Sequence, residues 1–168
     1  MRLKIKNALL AAALSGAFVT ANATPLIPNT LSPNVDVVAS FFGGTLLDSA
    51  ITSISNFGYN GTARAAVYDS GSGLDFYYQF SNNASSLHGV ERFSFFDFSS
   101  LNAEEINAYQ TAAAFGIFVT GTEQSDYADR TNFGVLGISF VPNGSTKINP
   151  GTTSYTQIIR TNATEYMA

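Results

Sequence analysis

The sequence predicts an all-β protein: an antiparallel β-sandwich, jelly-roll-like, of about eight strands with at most one short helix. Three observations predict it. Apolar residues recur with period two, clearest in Leu74-Asp75-Phe76-Tyr77-Tyr78-Gln79-Phe80. Turn signals such as Gly43-Gly44, Asp69-Ser70-Gly71-Ser72-Gly73, Pro142-Asn143-Gly144 and Asn149-Pro150-Gly151 punctuate the chain at strand-length intervals. The 168 residues are 45% hydrophobic, 13% aromatic and only 12% charged, which is enough apolar side chain for one core and too little charge for disorder.

Residues 1–23 read as a secretory signal peptide. Arg2, Lys4 and Lys6 form a positive start, residues 8–19 an apolar stretch too short to span a bilayer, and Ala21-Asn22-Ala23 a small-residue cleavage site that places the mature start at Thr24. Residues 24–34, with Pro25, Pro28 and Pro33, read as an extended, poorly packed lead, and residues 35–168 as a single sandwich domain.

The first strands are expected at 35–41 and 46–55, on either side of Gly43-Gly44. The next, 59–68, would turn Ala63, Ala65 and Val67 inward, and joins 74–80 through a five-residue loop with two glycines. In 74–80, Leu74, Phe76, Tyr78 and Phe80 form the core face, and Asp75, Tyr77 and Gln79 face outward. In 90–98, Phe93 and Phe95 share one phase and Phe96 and Phe98 the other, so a bulge is expected between them. A helix over 103–113, capped by Asn102 with Glu105 three positions on, would carry a thin stripe of Ile106, Tyr109 and Ala113. Strands at 115–120, 135–141 and 154–161 complete the set, the last lying at an open sheet edge prone to self-association.

Composition excludes several functions. No cysteine means no disulfide framework and no thiolate metal site, and the single histidine, His88, excludes a multi-histidine centre. The formal net charge is −4, and cleavage at Thr24 removes three cations and no acid, so a phosphate-binding nucleic-acid surface is not expected. No stretch approaches the roughly 20 apolar residues of a membrane-spanning helix.

Candidate chemistry is sparse. A hydrolase triad would have to use His88, in the loop before a strand, and no Gly-x-Ser-x-Gly elbow accompanies it. Glu104 and Glu105, adjacent on a helix, diverge by about 100° and cannot flank one glycosidic bond. Asp69 and Asp75 bracket a loop that resembles half of a calcium site, and Asp126 and Asp129 raise the same chemistry; calcium is the one cofactor the acids would bind, although a hairpin turn also explains the first pair. Tyr59 and Tyr77 are the candidate ligand-stacking aromatics.

Two blocks resemble exported proteins of Gram-negative bacteria that carry the PEP-CTERM sorting signal. The first comprises Gly61-Thr62, Val67-Tyr68, Leu74 through Asn82, Val90-Glu91-Arg92-Phe93 and Asp97-Phe98. The second comprises Asp129-Arg130, Gly137-Ile138-Ser139-Phe140, Pro150 through Tyr155 and the run from Ile158 to Thr164. Such proteins end in Pro-Glu-Pro, an apolar segment and a basic tail. Here the sequence runs to Glu165-Tyr166-Met167-Ala168, which reads as a truncated relative or fragment, or as a simply secreted product.

The resemblance implies an envelope or exopolysaccharide-associated role and no reaction. The expectation is therefore a non-enzymatic exported envelope or matrix protein whose partners are polysaccharide or other surface proteins. A carbohydrate-binding module is the first alternative and a glycoside or ester hydrolase the second.

Overall fold

The computed structural model describes residues 24–96, 98–101, 106–141 and 147–166. The signal-peptide segment, the expected helix cap Asn102 and the Glu104-Glu105 pair lie outside them. The described residues form an all-β sandwich of eleven strands, with no helix.

In chain order the strands are β1 (Thr24–Pro25), β2 (Leu31–Pro33), β3 (Asp36–Val37), β4 (Thr45–Ser55), β5 (Asn60–Asp69), β6 (Leu74–Asn82), β7 (Arg92–Phe95), β8 (Ile106–Thr111), β9 (Tyr127–Arg130), β10 (Leu136–Ser139) and β11 (Thr156–Thr161). The larger sheet runs β1-β8-β11-β6-β5-β4, with β3 also on β8; the smaller runs β2-β9-β10-β7. Every strand pairing is antiparallel except β3 on β8, which is parallel and makes the larger sheet mixed.

The main core lies between the sheets. Phe80, Ile106, Ala108 and Ile159 of the larger sheet meet Ala128, Leu136 and Ile138 of the smaller, joined by Leu26 and Phe140. Burial of each large aliphatic side chain contributes roughly 1.5–3 kcal/mol. A second cluster covers the opposite face of the larger sheet: Ala66, Tyr68, Tyr77, Tyr109 and Ile158 pack under Val38 and Phe118, with Phe41 and Ile117 alongside. The larger sheet is thus buried on both faces over β8, β11 and β6.

That second layer corrects the outward assignment in 74–80. The alternation is real, with Phe76, Tyr78 and Phe80 toward the main core, but Asp75, Tyr77 and Gln79 face the second cluster and are 0%, 1% and 2% exposed. Phe76 is half-buried and packs edge-on against Phe98.

Other expectations are corrected too. The predicted helix over 103–113 is strand β8 from Ile106 on. Ile106 and Ala108 enter one cluster and Tyr109 the other, so the residues of its supposed stripe serve two faces of a strand. The predicted strand over 115–120 is a tight turn, in which Phe115 and Phe118 exchange backbone hydrogen bonds around Gly116, whose φ of 57° suits glycine. The lead is extended but not poorly packed: Thr24–Pro25 pairs with β8, Leu31–Pro33 pairs with β9, and Leu26 is 1% exposed. In 90–98 the strand stops at Phe95, Phe96 turns 67% exposed and Phe98 returns to the core.

The C-terminal strand is not an edge. β11 lies between β6 and β8, with Ile158 and Ile159 both fully buried on opposite faces. The exposed edge of the larger sheet is β4, which pairs only with β5 and has all eleven residues exposed.

Candidate functional site

The smaller sheet does not cover the whole of the larger one. β7 lies over β6, where the Phe95 and Tyr78 rings stack with centroids 4.1 Å apart, and β5 and β4 overhang beyond it. The overhang and β7 enclose a groove of about 300 Å³. Its floor is Ala50, Thr52 and Ile54 of β4 and Ala63 of β5, and its walls include Tyr59 and Phe95. Small residues opposite one another on β4 and β5, where Ala50 pairs with Ala65 and Thr52 with Ala63, leave the space that larger side chains would fill.

Tyr59 is set at the groove by a hairpin turn. Asn56 Oδ1 accepts hydrogen bonds from the Gly58 and Tyr59 amides, both at 2.8 Å, which fixes the loop that presents the ring. The Tyr59 ring then rests edge-on against Phe80, with centroids 5.9 Å apart. A second cavity of about 320 Å³, lined by Phe76, Phe96, Phe98, Leu101 and Tyr166 among others, lies on the far side of Tyr78.

The other candidate ligand aromatic, Tyr77, is closed to any ligand. At 1% exposure it stacks on Phe41 and meets Tyr68 edge-on. Burial, helped by the Asp75 carboxylate, pushes its hydroxyl far above the usual tyrosine range, against the opposing pull of Arg160 and the Phe42 backbone.

The four calcium candidates do not come together. Asp69 pairs with Leu74 and Asp75 with Tyr68, so the first two side chains leave opposite faces of the hairpin. Asp69 Oδ1 accepts from the Gly71 amide at 2.8 Å, as a turn residue does. Asp75 is held by Arg160, and Asp129 by Arg92, whose Nη1 and Nη2 lie 2.6 and 2.8 Å from its two oxygens. Asp126 spends its backbone on Ser139 and Asn34. Among the described residues no three His, Asp or Glu side chains converge. His88 is exposed, and its amide bonds the Gly58 carbonyl.

The cations of the described chain are likewise engaged in structure. Arg64 donates to Ser81 Oγ at 2.8 Å, Lys147 pairs with Glu91, and buried Arg130 donates to the carbonyls of Phe98 and Leu101. Arg92 lies flat over β10, where a Cβ at Gly137 would collide with its guanidinium. Asp129, Arg130 and Gly137 thus serve an ion pair, hydrogen bonds to carbonyls and close packing in turn.

Two features escaped the sequence reading. One is a set of buried amides. Gln79 Nε2 and Oε1 bond the Val119 carbonyl and amide at 2.7 and 3.0 Å, and Gln110 bonds the Val35 and Ser125 carbonyls, each at 2.9 Å. Their signal was a glutamine directly after tyrosine within a predominantly apolar run, Tyr78-Gln79-Phe80 and Tyr109-Gln110. The other is the place of β4: a strand is expected at 46–55 and is found, but its position as the exposed edge of the larger sheet was not foreseen, and its signal was a β-prone run with Asp48 as its one charge and no clean alternation. No protein-family model matches the chain, and neither a curated protein nor a solved structure does.

Proposed function

We propose that this chain is a non-enzymatic exported protein of the bacterial envelope or extracellular matrix that works by association with exopolysaccharide. The observation that carries the reading is the groove between the β4–β5 overhang and β7: open, floored by small and aliphatic side chains, and walled by aromatic ones. Sugar rings present apolar C–H faces rimmed by hydroxyls, and a tyrosine offers a flat apolar face with a polar tip. Two tyrosines of the groove have that chemistry, Tyr59 and Tyr78; the Tyr78 ring is stacked on Phe95, which leaves Tyr59 as the one to meet a sugar.

The positive start, apolar stretch and small-residue cleavage site of residues 1–23 support export, and the resemblance to sorting-signal proteins supports an envelope address. Asp75, Asp129, Arg92 and Arg160 are committed to ion pairs within the fold, which suits a structural rather than a chemical use of these charges.

Co-sedimentation with purified exopolysaccharide tests the reading. Wild-type protein is expected in the pellet. Tyr59→Leu, which keeps apolar packing on Phe80 and removes the aromatic face, is expected in the supernatant with its melting curve little changed. Equal retention of the two proteins, or none of the wild type, would overturn the proposal.

A further inference from the structure

The β4 edge is long and almost uncharged, and its outward-facing backbone groups can be assigned. The Asn56 amide donates to the Tyr59 carbonyl at 2.9 Å, continuing the β4–β5 register in which Ile54 faces Gly61 and Thr52 faces Ala63. Hydrogen-bonded and non-bonded pairs alternate in an antiparallel ladder. Even-numbered residues of β4 therefore turn their amides and carbonyls toward β5, and Ser49, Ile51, Ser53 and Ser55 turn theirs away. The Ser49 amide agrees with this: it is capped from the open side by Asp48 Oδ1 at 2.7 Å.

Natural edge strands are blunted by charge, proline or brevity. β4 has eleven residues, no proline and one charge, and it exposes Leu46, Leu47, Ile51 and Ile54, with Phe57 95% exposed at the hairpin tip. The one irregularity is the register shift between Leu46 and Asp48, which leaves the run from Asp48 onward regular.

We propose that β4 pairs antiparallel with the β4 of a second copy of this chain, about a twofold axis at Thr52. The sequence is self-complementary about that point. The odd-numbered residues match as hydrogen-bonded pairs, Ser49 with Ser55 and Ile51 with Ser53, giving about six ladder bonds over the two copies with the Ser49 amides still capped by Asp48, and about eight once those amides turn to the partner's Ser55 carbonyls. Ala50 meets Ile54, apolar on apolar. Asp48 faces Asn56, whose side-chain oxygen is already used by the Gly58 and Tyr59 amides, so its NH₂ is the group left to meet the carboxylate. Phe57 of each copy comes beside Leu47 of the other.

Neighbouring registers lose these matches. An axis at Ile51 sets the Asp48 carboxylate against Ile54, an axis at Ser53 sets Ala50 against Asn56, and an axis at Ala50 runs the ladder into the bulge. The pairing is isologous, so it closes at two copies rather than propagating. A nine-residue ladder is roughly 30 Å long and 10 Å wide, well short of the roughly 800 Å² per partner of a standard stable interface. The dimer is therefore reversible and concentration-dependent.

Sedimentation of the full chain from about 10 µM to 1 mM, the range in which such contacts associate, is expected to show monomer passing into dimer. Ser53→Pro deletes an outward amide and leaves the β5 ladder intact; it is expected to remain monomeric across that range with an unchanged circular dichroism spectrum, while Ser53→Ala dimerises like wild type. The chain has no cysteine, so a single introduced one reports position. Thr52→Cys lies on the axis in a non-hydrogen-bonded pair, where opposed Cβ atoms come close enough for a disulfide. It is expected to cross-link on mild oxidation, whereas Asp48→Cys, opposite Asn56, is not. A wild type that stays monomeric, Ser53→Pro dimerising as wild type does, or equal cross-linking at positions 48 and 52 would each overturn the proposal. Should Ser53→Pro fail to fold, the two cysteine variants decide.

Discussion

Arg160 and Asp75 stand directly opposite each other on β11 and β6, with Arg160 Nε donating to Asp75 Oδ1 at 3.1 Å. The acid is fully buried, while the arginine side chain is 30% exposed and lies over the Phe42 ring, 4.4 Å from its centroid. The pair joins two central strands beneath the coil that covers the sheet, and it is asymmetric: one partner reaches solvent and the other, with Oδ2 unbonded, does not.

Removing the buried partner has a cost that an outward-facing Asp75 would not. Asp75→Ala leaves a cavity and an unpaired Arg160, but Arg160 can rehydrate, so the cost is expected at about 1–3 kcal/mol rather than the larger value of a fully buried pair. Asp75→Asn keeps the shape and an acceptor for Nε and should cost less. Urea melts at pH 7 rank the three proteins, and an Asp75→Ala loss within about 0.5 kcal/mol would restore the outward assignment.

Burial holds the Asp75 carboxyl above the usual carboxylate range, and the charge of Arg160 and its hydrogen bond only partly oppose this. The native state therefore binds the proton more tightly than the unfolded chain. The group's contribution to stability is greatest below the ordinary carboxylate pKa and is lost as pH rises through its raised native value. Relative to Asp75→Asn, the wild type is expected to gain stability as the pH is lowered from 7 toward about 4. Parallel melts that show a constant gap between the two proteins would contradict this.

Gly137 and Arg92 are coupled through space. Gly137→Ala displaces the guanidinium from Asp129 and should cost about 1–3 kcal/mol. With Arg92→Ala already in place the obstruction is gone, and the same change should be neutral or slightly stabilising, because alanine restricts the unfolded chain. A double-mutant cycle measures the difference, and strict additivity would exclude the coupling.

Gln79 fastens the 115–119 turn to the sheet. Gln79→Ala strands the Val119 amide and is expected to cost about 1–3 kcal/mol. Hydrogen exchange at Val119 should accelerate more than exchange in β9 or β10; a uniform rise would mean global rather than local loosening.

Strand β6 shows what the sequence carries and what it does not. Alternation in 74–80 reports a period of two, and it assigned Phe76, Tyr78 and Phe80 correctly to the main core. It cannot report whether the other face is wet, because that depends on chain from 38–41 and 117–118 folding over it. In 103–113, spacing compatible with both helix and strand was decided by a tertiary environment that buries both sides of β8. The hairpin of β5 and β6 was legible because its loop glycines and polar residues act locally: the Ser70 amide bonds the Gly73 carbonyl at 2.9 Å. The groove was not legible, since it arises from the mismatch in width between two sheets, a property of strand order and of no single segment.

Strand order also governs how the molecule assembles. β11, the last described strand to be synthesised, is the one that joins β6 to β8. Before residues 156–161 are available, β4-β5-β6 can exist only as a meander lacking its neighbour, and β8 can hold only the short β1 and β3. Committing the larger sheet must therefore await contacts far apart in the chain, which slows folding of β topologies. A nascent chain of this kind cannot close its larger sheet until residues 156–161 are present.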